Sequence, residues 1–507
     1  MEKRDTWNSR LTFIMAAVAS AVGLGNMWRF PGIVYQNGGG AFLIPYFVAL
    51  VTAGIPLLAM EISIGKKFQL GAPMALKKIN PKFEWIGWLG VGTGSCITSY
   101  YSVVLAWVIC YMFLSFKSPW ISKNAIDIFT NDVLQVSSGM LNLGGINWWI
   151  LGALLLGWFF IWFCIRNGVD SVSDVLNYVV TVPLILLTAM IVRAVTLPGA
   201  MEGIYYYLVP DWSKLLQPSV WAAAYGQVFF SLSILFSIMV AYGSYLPKDA
   251  PVTSDSIIIA ISDAIVSFFA GFACFGSLGY LSYITHTPIS EMTHSGMMLA
   301  FATYPTAIAA MPGGKWTVIA FSLIFFVILF TLALGSVFSI VVAVATSFKD
   351  KLGTSKTKTA LFFCVVGCLI ATIYTTKAGL YWVDIVDHFM NDFNLIAIGL
   401  IETVALGWFF GAQKVLDIIN ENCSLKYGKM WIFSVKYLCP VVFTGIIVSY
   451  LVENIRHPYG GYPVSNLLIA GWGFVAVTII FSIVMTFFKD AKIPNDEIET
   501  QKENLSI

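Results

Sequence analysis

An asparagine, an arginine and two closely spaced glycines crowd into ASAVGLGNMWRFP, Ala19 to Pro31, inside an apolar run long enough to cross a bilayer. Gly23 and Gly25 flank Leu24 near the middle of that run, and Asn26 and Arg29 follow within four residues. A helix that only anchors a chain in lipid has no use for these residues. Backbone broken at membrane depth is tolerated only where it faces protein or a water-filled cavity, so the break predicts a binding site. Unwinding at Gly23–Gly25 frees N–H groups at a half-helix N-terminus, where donors and dipole suit a carboxylate. Freed carbonyls and the Asn26 amide are hard oxygen ligands, suited to Na⁺ rather than to a soft metal.

Three more features carry polar chemistry into apolar surroundings. QVFFSLSILFS, Gln227 to Ser237, places Ser231, Ser233 and Ser237 inside another span. Serines in membrane helices often bond back to helix carbonyls. Corresponding interrupted spans in two halves of a chain, however, point to a transporter site at the midplane. Asp263 lies mid-depth in IAISDAIVSFF, where a lone carboxylate is costly. Glu61 and Glu402 are further intramembrane acids, read as holding backbone or neighbouring helices. His286, His294, His388 and His457 fall in loops or at span ends without metal-ligand spacing and are read as surface residues. The eight cysteines show no paired spacing and are read as small buried side chains.

The elements that position these residues are membrane spans. Of 507 residues, 58% are hydrophobic and 11% charged, against about 25% charged in soluble domains. Apolar runs of about 20 residues recur along the chain, which excludes one large soluble core. Net charge of +2 gives no reason to expect nucleic acid. Twelve spans are predicted, at about 11–34, 41–66, 87–115, 148–166, 171–195, 220–245, 255–284, 316–348, 358–375, 380–412, 431–452 and 465–488. Residues 1–488 form one transporter domain, and 489–507 a polar tail. Lysines before the first span and after the second, eighth and tenth place both termini in the cytoplasm. The segment from about Thr285 to Lys315 reads as re-entrant or lid-like, and nothing at the N-terminus reads as a cleaved signal.

AVGLGNMWRFP, NGGGAFLIPY (Asn37–Tyr46), GIPLLAMEISIG (Gly54–Gly65), SYY (Ser99–Tyr101) and FFSLS (Phe229–Ser233) together resemble the neurotransmitter:sodium symporter family, solute carrier family 6. The resemblance runs over spans one to ten. It implies an all-α membrane protein with an inverted five-plus-five repeat (11–195 and 220–412), broken helices 1 and 6, and alternating access around a central site. Spans eleven and twelve, 431–488, stand outside the repeat. By resemblance, a first sodium is bound by Ala21, Asn26, Ser231 and Asp263 with the substrate carboxylate, so each ligand completes the other's shell. The second sodium falls to the carbonyls of Ala19, Val22 and Leu332 with Ser336. Gly335 departs here: relatives carry a Thr, Ser or Asp oxygen, which leaves one or two Na⁺ open.

Gly23 implies an amino-acid substrate, since relatives carrying monoamines have aspartate there. Ala21, Leu24 and Gly25 join it, Tyr101 donates to the substrate carboxylate, and Ser231 and Ser233 cap the ammonium. Ile97, Phe230, Phe236, Ser336 and Ile340 complete the pocket, whose apolar lining excludes charged side chains. Leu235, where many relatives have glycine, restricts very large substrates. Chloride-dependent relatives hold chloride with hydroxyl and amide groups matching Tyr46, Gln227, Ser231 and Ser267, and have asparagine at position 263. Asp263 is therefore expected to replace chloride, because adjacent buried anions repel. Arg29 with Asp387 resembles the outer gate, and Arg4 with Asp350, Trp7 and Tyr245 the cytoplasmic latch.

The expected protein is a sodium-coupled importer of a neutral, mostly hydrophobic amino acid, not an enzyme, with no obligate protein partner. A proton-coupled carrier using Asp263, and a non-transporting sensor, are the alternatives. The loop between spans three and four lacks the cysteine pair and Asn-x-Ser/Thr site usual in animal relatives, which suggests a prokaryotic inner membrane.

Overall fold

A computed structural model describes residues 6–166, 169–292 and 296–491, with backbone alone for 169–177 and for Lys356. Arg4, His294 and the tail beyond Ala491 lie outside the described residues. The described chain is helical, with two isolated β-bridges, Gly39 to Pro210 and Ile146 to Thr376, and no strand.

Two of the spans are split. The first comprises α1a (Arg10–Ala21) and α1b (Gly25–Gln36), bent by 50° at the break. The other is α6a (Pro218–Ser231) and α6b (Ile238–Gly243). The remaining spans are α2 (Gly40–Phe68), α3 (Pro81–Ser115), α4 (Trp148–Ile165), α5 (Val169–Val195), α7 (Val252–Thr285), α8 (Gly314–Leu352), α9 (Thr357–Thr375), α10 (Gly379–Asn420), α11 (Lys429–Gly461) and α12 (Val464–Thr486). Among the described residues ten helices are long and apolar enough to cross a membrane, or eleven counting the bent pair as one. The expected twelfth, span six, falls short because its break leaves pieces of 14 and 6 residues. The segment read as lid-like contains a short apolar helix, Leu299–Ala309.

Packing fixes where the breaks lie. Helix α3 runs beside α4, α8 and α12, while α1a packs against α5, α7 and α8. The two halves of span six pack against opposite ends of α2. Side chains around the breaks, including Leu24, Phe229, Ile234 and Leu235, are buried in the core. The cysteines are unpaired, as expected, and either buried or partly buried. One histidine is not at the surface: His388 is buried within α10, its ring stacked on Tyr459 at 3.6 Å. An aromatic shell and a contact between Nδ1 and Asp392 Oδ2 at 2.8 Å accommodate it there.

Candidate functional site

Helix α1a starts at an N-cap, Ser9 accepting from the Thr12 N–H, and ends where Val22 turns to φ −76°, ψ 94°. The next N–H, that of Gly23, bonds Asn26 Oδ1 at 2.8 Å instead of closing another helical turn. The Leu24 N–H donates to Tyr101 Oη at 3.0 Å. Helix then restarts with a widened turn, Phe30 N–H bonding the Gly25 carbonyl five residues back. Such widened turns occur often at functional sites. The glycines are needed for proximity: a Cβ on Gly25 would lie 2.7 Å from the Phe230 ring, and one on Gly23 2.6 Å from Ser336 Oγ.

Span six breaks differently. Ser233, Leu235 and Ser237 adopt left-handed backbone, at φ 52°, 71° and 65°. Each is held by a bond to another helix. Ser233 Oγ donates to the Ser20 carbonyl at 2.8 Å, and Ser237 Oγ donates to the Gly87 carbonyl at 3.2 Å. The Leu235 N–H donates to Glu61 Oε1 at 2.5 Å, so Glu61 holds backbone, as read from the sequence.

Between the breaks lies a cavity of ≈ 40 Å³. Its apolar wall is Ile97, Phe230, Phe236, Ile238 and Ile340, and its polar wall includes Gly23, Tyr101, Ser231, Ser233 and Ser336. Ala21, Gly25 and Asn26 also face it, whereas Leu24 contributes through its N–H to Tyr101. Two of the backbone donors expected for a carboxylate are thus bonded within the protein, to Asn26 and Tyr101. Tyr101, accepting from Leu24, retains its own hydroxyl proton to donate.

Behind this cavity Asp263 is fully buried. Ser231 Oγ lies 2.9 and 2.7 Å from its two oxygens, and Asn26 Nδ2 lies 2.7 Å from Oδ1. The same Nδ2 reaches Ser267 Oγ at 2.7 Å and Ser231 Oγ at 3.3 Å. Here a carboxylate, a hydroxyl and an amide converge, a donor set that fits a small hard cation. Presenting the amide oxygen there requires turning Asn26 over, at the cost of its bond from the Gly23 N–H. Both polar atoms of the Gln227 side chain are buried without hydrogen-bond partners.

The two ends of the site differ. On one side Phe230 and Tyr101 separate the small cavity from a vestibule of ≈ 500 Å³. Arg29 sits over the Phe230 ring at 4.6 Å, 3.6 Å from Asp387 and also 3.6 Å from Asp392. Asp387 accepts in addition from Tyr100 and Asn391, at 2.7 and 2.8 Å. On the other side Trp7 is buried, its Nε1–H bonding the Tyr242 carbonyl at 3.0 Å and its N–H the Tyr245 carbonyl at 3.1 Å. Asp350 accepts the Gly71 N–H at 2.6 Å.

Asp392, Ser20 and Ile238 were absent from the sequence reading. Asp392 stands five residues after Asp387, about 140° away around a regular α-helix. A widened turn over Phe389–Leu395 brings it back towards Arg29. Ser20 acts through its carbonyl, which residue type does not mark.

The profile of the Sodium:neurotransmitter symporter family matches residues 4–125 and 120–492. The chain belongs to that family. It is a multi-pass membrane transporter, not an enzyme. An uncharacterized sodium-dependent transporter of Methanocaldococcus jannaschii is 37% identical over 97% of this chain and 99% of its own length. The human sodium- and chloride-dependent neutral and basic amino acid transporter B(0+) is 31% identical, over 96% of this chain and 86% of its own. The rat sodium- and chloride-dependent GABA transporter 2 is 32% identical, over 90% and 82%.

Proposed function

We propose that this symporter imports a neutral, mostly hydrophobic amino acid with Na⁺, across a prokaryotic plasma membrane with both termini in the cytoplasm, and without chloride. The observation that carries the reading is the pairing of an apolar-walled cavity at Gly23 and Tyr101 with a buried carboxylate, Asp263, directly behind it. Tyr101 donates to the substrate carboxylate, the Ser231 and Ser233 region receives the ammonium, and the apolar wall takes the side chain. A charged side chain would lose its hydration there with no partner on that wall. Asp263, Ser231 and the Ala21 carbonyl hold the cation, with Asn26 turned over to present its oxygen. Phe230, roofed by Arg29, closes the cavity on the vestibule side, and Trp7 with Tyr242 and Tyr245 closes the other.

Chloride independence follows from electrostatics. An anion among Tyr46, Gln227, Ser231 and Ser267 would share Ser231 with the Asp263 carboxylate. Two like charges about 4 Å apart repel by about 4 kcal/mol at an effective dielectric of about 20. A hydrogen bond to an anion returns about 1.5–3 kcal/mol, so the repulsion cancels about two of them, and Ser231 is already turned to Asp263.

Reconstitution in proteoliposomes tests the whole reading. A Na⁺ gradient drives uptake of one or more of the twenty amino acids, competed by leucine-like but not by lysine-like or aspartate-like compounds. Replacing chloride by gluconate leaves the rate unchanged. An absolute chloride requirement, or uptake driven by a pH gradient alone, would sink it.

A further inference from the structure

The position implied for a second sodium does not match the residues around it. Its candidate ligands are three neutral carbonyls, of Ala19, Val22 and Leu332, with one hydroxyl, on Ser336. Gly335 brings no oxygen, and the space beside it is filled. A Cβ on Gly335 would stand 2.6 Å from the Ala19 carbonyl oxygen and 3.1 Å from Val179 Cγ1. Helix α1a therefore lies against the backbone of α8, with α5 closing the side, and no room remains there for a side-chain oxygen.

Ser336 is committed elsewhere. Its Oγ lies 3.4 Å from the carbonyls of both Ser20 and Leu332, and it stands where a Gly23 side chain would be. It lines the central cavity beside Tyr101. The hydroxyl meant to complete the set thus points to the carbonyls of Leu332 and Ser20, as a free helix serine does.

A cation at membrane depth must exchange its water for enough oxygens, or for an anion, to offset the loss of hydration. The Asp263 group offers a carboxylate with a hydroxyl and an amide around it. The group at Gly335 offers no anion and no room for a further side-chain oxygen. We infer that this chain has one cation site, at Asp263, and moves a single Na⁺ with each substrate molecule, while Ser336 serves the substrate. This rests on the sodium-coupled reading above.

Equilibrium binding of ²²Na⁺ to the purified full-length chain, without substrate, tests it. The expected result is one ion per chain with a Hill coefficient of about 1. Asp263→Ala removes that binding. Ser336→Ala leaves it unchanged while weakening substrate binding about threefold to tenfold, the value of one hydrogen bond. Flux measurements give one Na⁺ per substrate. Two ions per chain, an ion retained in Asp263→Ala, or Na⁺ binding lost in Ser336→Ala would overturn the inference. Because the wild-type count decides the matter, it stands even where a variant fails to fold. Absence of saturable ²²Na⁺ binding in the wild type both without and with substrate would instead refute sodium coupling itself, and this inference with it.

Discussion

The two helix breaks that enclose the central cavity are built in opposite ways. At the first, the glycines keep ordinary negative φ and serve only by lacking a Cβ, so that Phe230 and Ser336 can approach. At the second, the backbone turns left-handed at Ser233, Leu235 and Ser237, none of which is glycine. Such residues cost about 1–3 kcal/mol each. Bonds from Ser233 to Ser20, from Leu235 to Glu61 and from Ser237 to Gly87 offset a cost of that size. A neutral bond is worth about 0.5–1.5 kcal/mol and one to a charged group about 1.5–3. The first break is thus written locally in the sequence, whereas the second exists because three neighbouring helices hold it.

Enlarging the first break gives the greatest effect. Gly25→Val places a branched side chain where a single Cβ already meets the Phe230 ring at 2.7 Å. Uptake should fall by about 100-fold or more, because the ring is pushed aside and the roof opens, while overpacking lowers stability by about 1–3 kcal/mol. Near-normal transport by Gly25→Val would refute the claim that the glycine is there for proximity.

Releasing the second break comes next. Glu61→Ala leaves the buried Leu235 N–H without an acceptor, and transport should fall by about 10- to 100-fold. Glu61→Gln keeps an acceptor oxygen and should recover most of the rate. Equal damage from Gln and Ala would mean that the carboxylate's charge, not its bond to Leu235, is what matters.

This difference also explains what was legible in the sequence. The spans, the break at Gly23–Gly25 and the family were readable because apolar runs and glycine pairs are local signals. The break in span six was placed by its serines and by the resemblance, but the left-handed turn at Leu235 has no local signal, because it depends on Glu61, 174 residues away. His388, read as a surface residue, is buried because Tyr459 and Asp392 are brought to it by α10 and α11. Asp392 was missed through the assumption of regular helical spacing. The cation residues named by resemblance do gather: Asn26, Ser231 and Asp263 lie within hydrogen-bond distance of one another. Arg4 of the latch falls outside the described residues.

Removing side chains from the second break separates strain from packing. Leu235→Gly relieves about 1–2 kcal/mol of left-handed strain. It also deletes a buried side chain that packs against Gly399, a loss of about 2–5 kcal/mol. Packing wins, so thermal denaturation should show a net destabilisation of about 1–3 kcal/mol. Ser233→Gly gives up one hydrogen bond while relieving similar strain, so its stability should stay within about 1 kcal/mol of wild type. A Leu235→Gly protein more stable than wild type would show that strain, not packing, dominates at this break.

The smallest effect concerns the ion pairs at the two ends. Arg29 meets its carboxylates at 3.6 Å, loose contacts suited to a gate. At the Trp7 end, Lys351 and Lys77 each reach Asp490 at 2.7 Å and Glu84 at 2.6 and 2.8 Å, and Ala491 N–H bonds the Lys351 carbonyl. Burial alone would raise the Asp490 carboxyl, but hydrogen bonds and charge from Lys351 and Lys77 hold it below its ordinary value. A depressed carboxyl stabilises the fold above its unfolded pKa of about 3.9, and that contribution fades as pH falls through the lower folded value. Asp490 is partly exposed, so the effect is about 0–1 kcal/mol. Wild type should therefore melt slightly above Asp490→Asn at neutral pH, and the gap should close on acidification below about pH 4. A gap that widened in acid would assign the tether to something other than the Asp490 charge.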